Sequence, residues 1–335
     1  MKKSLLALAV LGAFAGAASA QSSVTIYGSL DEAVSKGNGG TAANNGANGT
    51  SKAWQVRQSN GSRLGFRGNE DLGGGLSAQF QIEHRFNPDD GSQSSPPFWQ
   101  GRSYVQLSSA SMGRVYLGRE YTPAFWPQVK SDPFGNDGVG QFGTGISWAG
   151  FRTPSAIIPT GGSARTSNTV GYKSPSLGGL TVNAATGLGE GAVNRDDGFN
   201  VEYAAGPIYA ALGYERVRGF DANTTGNNLI NLAFHYDLGV AKPIFYYARA
   251  KTGVNNVNSN KYFFLGALAP IGGGTLKAGY GRLDPQGANN TQSKLGLGYD
   301  YPLSKRTNLY ADVGFAKEDQ KTNNTAYAVG IKHTF

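Results

Sequence analysis

The sequence predicts an all-β chain closed into a 16-stranded antiparallel transmembrane β-barrel, and three observations predict it. Apolar and polar residues alternate with period two along segment after segment, connections of two distinct lengths separate those segments, and the chain stops on an apolar strand at Phe335. Composition points the same way. Of 335 residues 50 are Gly, and only 16% are charged, against roughly 25% in an average domain. Gly in a helix interior costs about 1 kcal/mol relative to Ala, so Gly spread along the whole chain beside many Tyr, Phe, Thr and Asn favours strands and turns. There is no Cys and there are three His. That leaves no disulfide framework, thiolate metal site or cysteine nucleophile, and little material for zinc or imidazole chemistry. No cofactor, metal or catalytic residue is expected.

The first element is MKKSLLALAVLGAFAGAASA, residues 1–20. Lys2 and Lys3, an apolar run from Leu5 to about Ala18 and the small residues Ala18, Ser19 and Ala20 make a secretory signal cut before Gln21. The run is short for a membrane anchor, and no stop-transfer pattern follows. Residues 21–335 are expected to form one barrel domain. Taking 20 residues from 335 leaves 315, and losing Lys2 and Lys3 lowers the net charge from +8 to +6. That excess is dispersed, unlike the clustered footprint of a nucleic-acid binder, so no nucleic-acid partner is expected. Beyond Gln21 no window approaches 18 consecutive apolar residues. A mean hydropathy of −0.34 suits a barrel, in which apolar and polar strand faces cancel.

The strands follow in order. Val24, Ile26 and Leu30 alternate with Thr25, Tyr27, Ser29 and Asp31; Leu76, Ala78, Phe80, Ile82 and Phe86 alternate with Ser77, Gln79, Gln81, Glu83 and Arg85. The pattern returns at Val105 and Leu107, at Val115 and Leu117, at Ile230 to Tyr236 and at Leu309 to Phe315. Successive strand side chains point to opposite faces, so each segment carries one apolar face. Short connections such as EDLGGGL, SPSLGGL and YPLSKRT contrast with long ones at 36–53 and 87–100, the division expected between the two rims of an outer-membrane barrel. At about 20 residues per strand with its connection, the mature chain supplies about 16 strands of spanning length, enough to enclose water. A soluble sandwich would alternate too, but one this large usually divides into domains, and no linker appears. The last segment places Tyr327, Val329, Ile331, His333 and Phe335 on one face and Gly330 and Lys332 on the other. In a sandwich it would be an unprotected edge, whereas a closed barrel pairs it with the first strand.

Six stretches, in order, resemble the trimeric general porins of Gram-negative bacteria in their β-proteobacterial branch: SSVTIYGSLDEAV, SRLGFRGNEDLGGGL, GRVYLGREYTP, NTVGYKSPSLGGL, LSKRTNLYA and VGIKHTF. The resemblance covers essentially all of the mature chain. It implies an outer-membrane homotrimer of 16-stranded barrels, in contact with lipid and lipopolysaccharide, whose inward-folded third extracellular loop narrows a water-filled pore. Small hydrophilic solutes, anions among them, would cross by diffusion. That loop corresponds to about residues 121–164, a length that usually signals function. Within it, Gly138 to Gly143 spells G-x-G-x-x-G, but no strand precedes it, no helix follows and no acidic residue stands about 20 positions on, so a dinucleotide site is not expected.

Selection in such a pore rests on its diameter and on the charges lining it. Arg63 and Arg67 share the polar parity of their strand; Arg85 and Arg102 do so on the next two. Arg165 shares parity with Ser167 and Thr169, opposite Val170 and Tyr172. The resemblance implies an arginine ladder on the wall at the constriction, with Arg63 and Arg165 at two rungs. At the third the family carries a basic run, whereas Gln100-Gly101-Arg102 leaves Arg102 alone. Arg119 has outward parity on a regular strand, and a bulge could turn it inward. Asp132 and Asp137 in the loop, with Glu120 at its root, are expected across the opening, giving a transverse field. Arginines outnumber loop acids, so mild anion preference is expected; a substrate-specific channel for a small anionic metabolite is the alternative. Tyr27, Tyr104, Tyr172, Tyr301, Tyr310 and Phe335 are candidates for interfacial girdles, though Tyr27, Tyr104 and Tyr310 have inward parity. An enzyme is not expected, since His84 and His333 have lipid-face or rim parity and His235 is isolated. Nor is a plugged receptor, because the first strand begins within a few residues of Gln21.

Overall fold

The computed structural model describes residues 22–42, 51–143, 147–149, 151, 164–190, 195–218, 227–252, 258–286 and 290–335. The expected signal at 1–20 lies outside these residues, as do 144–146, 150 and 152–163 of the expected loop. The strands of the first half are β1 (Ser23–Gly37), β2 (Gln55–Arg57), β3 (Arg63–Gly73), β4 (Leu76–Arg85), β5 (Ser103–Ser109), β6 (Gly113–Tyr121), β7 (Arg165–Lys173) and β8 (Leu180–Gly187). Those of the second are β9 (Asp196–Ala205), β10 (Ile208–Val217), β11 (Asn228–Tyr236), β12 (Lys242–Thr252), β13 (Asn258–Ile271), β14 (Gly274–Asp284), β15 (Gln292–Pro302), β16 (Thr307–Glu318) and β17 (Asn324–Thr334). The helix α1 (Phe125–Ser131) follows β6.

Every neighbouring pair is antiparallel, and the sheet closes on itself. Strand β17 pairs with β1 from Ser29↔Thr334 to Gly37↔Ala326, and Gly28 and Phe335 exchange two backbone hydrogen bonds of 3.1 Å. The terminal edge therefore disappears, as the apolar C-terminus predicts. The three-residue β2 and the longer β3 both pair with β1, so together they form one stave, interrupted at 58–62, and the barrel has 16 staves. Short turns gather at one rim. One of them, between β3 and β4, places Gly73, Gly74 and Gly75 at φ of +81°, +61° and +79°, a left-handed run that only glycine enters without strain.

The burial pattern decides between barrel and sandwich. On the apolar faces Val24, Ile26, Val105, Leu107, Val115 and Leu117 range from 49% to 68% exposed, while Ser29, Asp31 and Ser35 on the polar face of β1 are at most 1% exposed. In water each such apolar side chain would forgo about 1.5–3 kcal/mol of burial, so a surface of them requires an apolar surrounding. Tyr172, Tyr301 and Phe335 belong to this outer surface. Tyr27, Tyr104 and Tyr310 turn to the polar face, bonding Glu83, Gln81 and Asp31 respectively.

Among the described residues the larger apolar cluster lies on the opposite face from the exposed one. Phe125, Phe142, Trp148 and Phe151, all from the segment after β6, pack with Tyr246 and Phe264 of the wall, and α1 contacts β9 to β12. Glycines on β14 and β15 admit this segment: a Cβ at Gly296 would stand 2.3 Å from the Gly140 carbonyl oxygen.

Candidate functional site

Strand register determines which basic side chains meet. Arg63 stands directly across from Arg85 in the β3–β4 ladder, an opposition of like charges that destabilises a sheet unless compensated. The compensation is Glu83, two residues before Arg85 on the same face. It is 3% exposed, accepts a 2.8 Å bond from Arg85 Nε, and feels the charges of Arg63 and Arg165 as well. The Arg63 guanidinium makes no hydrogen bond or ion pair among the described residues.

Between β6 and β7 the register slips: Gly118 faces Thr169 but Glu120 faces Thr166, leaving Ser167 and Asn168 opposite Arg119. Simple alternation therefore does not run from Thr169 to Arg165, which corrects the parity argument for Arg165. The guanidinium still reaches the polar side, because it sits at the strand start across from Tyr121. Its Cζ lies 4.1 Å from the Tyr121 ring centre, and Arg165 Nη2 bonds the Tyr121 hydroxyl. Arg85 Nη2 reaches the same hydroxyl at 3.5 Å, and Arg102 lies 5.9 Å from the same ring. Tyr121, stacked on Phe125 at 4.2 Å, thus joins three of the expected arginines to the helix of the following segment.

Arg102 donates from Nε to both oxygens of Glu120, at 2.8 and 3.0 Å, and its second nitrogen completes a bidentate pair. Glu120 also accepts the Tyr121 N–H at 2.7 Å. Glu120 is therefore not across the opening from the arginines but on their own side, neutralising one. Position 101, before Arg102, has little room for a side chain: a Cβ there would fall 2.7 Å from the Glu83 carbonyl oxygen. Arg119 keeps the register of Ser103 on β5 and is 7% exposed. It donates to the Gln100 carbonyl and the Ser167 hydroxyl, each at 3.0 Å.

The loop acids divide. Asp132 turns into its own loop, accepting N–H bonds from Phe134 (2.9 Å), Phe142 (2.7 Å) and Asn136 (3.2 Å). Burial pushes its carboxyl up to about 6 against those bonds and the nearby Lys294 charge. It organises the loop and is 6% exposed, which corrects its expected place at the opening. Asp137 reaches from the loop to the arginine wall, accepting the Gly61 N–H at 3.2 Å beside Arg85, whose Nη1 donates to the Gly61 carbonyl at 3.3 Å. The register brings Arg63, Arg85, Arg102 and Arg165 together with Glu83, Glu120 and Asp137. Sequence reasoning missed Glu83 and Tyr121, although Glu83 carries a visible signal: polar parity, one pleat from Arg85.

A closed 16-stave barrel with a cationic cluster beside a packed inner segment is matched by comparison with known proteins. The family profile described as Gram-negative porin matches residues 7–321. The chain belongs to the Gram-negative porin family. It is 34% identical to outer membrane porin protein 32 of Delftia acidovorans and 33% identical to an outer membrane porin protein of Bordetella pertussis, over all of both chains in each case. Among solved structures it resembles an anion-selective porin from Comamonas acidovorans, with a TM-score of 0.81 and 30% identity over 94% of this chain and 100% of that one. OmpT of Vibrio cholerae in its trimer form shares the fold, with a TM-score of 0.70 at 16% identity over 94% of this chain and 99% of that one. This porin is an integral outer-membrane protein whose barrel forms a water-filled channel for small hydrophilic solutes and ions.

Proposed function

We propose that this porin acts as a homotrimer of mildly anion-preferring diffusion pores, assembled after residues 1–20 are removed on export. Residues 121–164 are its inward-folded third loop, and the constriction lies between that loop and the wall arginines. Arg63, Arg85, Arg102 and Arg165 supply the positive side; Asp137 supplies the facing negative charge; Arg119 supports the rim; Glu120 and Asp132 hold the parts in place. The observation carrying the reading is the charge balance of the cluster: four guanidiniums meet three carboxylates, and Arg63 is not paired with any of them. An anion entering this water-filled gap gains from the excess, and low-dielectric walls strengthen the field. The anion-selective Comamonas acidovorans structure supports the same sign, and the trimeric OmpT supports the assembly.

The test is the zero-current potential of the purified protein in a planar bilayer under a KCl gradient. Chloride preference with conductance steps in threes is expected; potassium preference overturns the assignment of sign.

A further inference from the structure

A second concentration of positive charge lies toward the short-turn end, next to the constriction cluster and joined to it through Trp126, whose ring centre lies 6.0 Å from Arg102 Cζ. Arg114 and Lys173 are direct partners in the β6–β7 ladder, on the face opposite the exposed Val115 and Tyr172. Like charges so placed cost stability, and at the constriction the equivalent Arg63–Arg85 opposition has Glu83 beside it. Here no carboxylate serves. Neither Arg114 nor Lys173 makes an ion pair among the described residues. The two acidic groups whose charges reach Lys173, Glu202 and Glu120, are committed elsewhere. Glu202 is held by Lys130 at 2.9 Å and by the Tyr209 hydroxyl at 2.7 Å, and Glu120 is clamped by Arg102.

The surroundings supply donors rather than acceptors of charge. Arg114 also faces Ser108 across the β5–β6 ladder. A cavity of about 430 Å³ holds Arg114 and Lys173 with the hydroxyls of Ser108, Ser176 and Thr181, while the Ser174 hydroxyl is spent on the Pro175 carbonyl. From the loop helix, the Trp126 ring centre comes within 5.9 Å of Lys173 Nζ. A guanidinium fork, an ammonium and several hydroxyls around one open cavity form a chemical complement to a compact anion with several oxygens. Short turns face the periplasm in such barrels.

We propose that Arg114 and Lys173 form a periplasmic-mouth binding site for a compact, doubly charged oxyanion of the phosphate type. The proposal rests on the channel reading above and deepens it: anions that pass the constriction are held a second time before release. The bound oxyanion supplies the negative charge that the wall lacks.

Planar-bilayer recording on the full-length protein tests it, with inorganic phosphate as the probe at a pH where it carries two charges. Phosphate in one compartment should reduce the chloride current saturably, at lower concentration than from the opposite compartment, while singly charged acetate should not. Replacing both residues, Arg114→Gln with Lys173→Gln, should raise the half-blocking concentration at least tenfold, since one lost charge-assisted contact alone is worth about that factor, and should also lower the chloride preference, because two positive charges leave the lumen. The conservative Arg114→Lys should retain part of the block. A conducting wild-type channel without saturable phosphate block overturns the site, as does equal block from both compartments or block unchanged in the double variant. The wild-type comparison of compartments decides the matter even where the double variant does not fold. A bilayer that stays silent overturns the channel reading itself, a result distinct from all of these.

Discussion

Arg63→Gln is the substitution that isolates the charge of the proposed constriction. Its guanidinium makes no hydrogen bond or ion pair among the described residues, so glutamine removes one positive charge without stranding a carboxylate. Arg102→Gln removes the same charge but orphans the buried Glu120, and breaking one side of a buried pair costs roughly 3–5 kcal/mol. The size of the Arg63 effect follows from Coulomb's law. An ion passing about 8 Å from the guanidinium in water gains or loses about 0.5 kcal/mol, and about 0.2 kcal/mol with screening at 0.1 M salt. Anion and cation shift in opposite directions, so the chloride-to-potassium permeability ratio should fall roughly two- to fivefold. The reversal potential across a tenfold KCl gradient measures it, with denaturant stability of the detergent-solubilised protein as the control. An unchanged ratio at unchanged stability would refute the placement of Arg63 at the narrowest point.

Gly101→Ala places a Cβ 2.7 Å from the Glu83 carbonyl oxygen and 2.6 Å from its carboxylate, and should cost about 1–3 kcal/mol by overpacking, read from urea unfolding in detergent. Burial lifts the Asp132 carboxyl from 3.8 to about 6, so its ionised form penalises the folded loop. That penalty is absent below 3.8, grows as pH rises and is complete above about 6, at roughly 3 kcal/mol. Hydrogen-exchange protection of the Phe134 and Phe142 amides, corrected for intrinsic rates, should therefore decline from pH 4 to pH 7, and Asp132→Asn should flatten the decline. Gly28→Val sets a Cβ 2.4 Å from the Arg63 carbonyl oxygen and 2.6 Å from the Phe335 ring. It should block the first-to-last strand closure, seen as loss of the compact species on semi-native gels, whereas Ser29→Ala should leave closure intact.

The wall was legible because its physics is periodic. Val24 and Ile26 face lipid while Ser29 and Asp31 face inward, since side chains alternate along a strand whatever the sequence, and closure at Phe335 follows from the need to satisfy an edge. The site was legible only as far as that period runs. At Gly118–Glu120 the register slips, and alternation no longer says where Arg165 points; the cross-strand partner Tyr121 does. Asp132 and Glu120 were assigned by counting acids in a loop, yet backbone geometry decided both. Three N–H groups of its own turn claim Asp132, and the short reach to Arg102 claims Glu120. Neither interaction has a sequence period.

The same carboxylates that weaken the field also make it possible. Four guanidiniums held together on one wall repel, and flexible side chains would splay into the water of the pore, leaving a diffuse charge. Glu83 fixes Arg85, Glu120 fixes Arg102 through a planar fork, and the Tyr121 hydroxyl fixes Arg165 against Arg85. Each anchor sets a guanidinium in one position, and two of the three subtract a charge. What remains is a small excess in a defined place. A wall without Glu83 and Glu120 would carry a larger formal charge but would bind a passing anion for longer, and a diffusion pore works only if entry is favourable and exit is quick. The mild anion preference we propose is thus the consequence of building a rigid cationic wall from groups that repel.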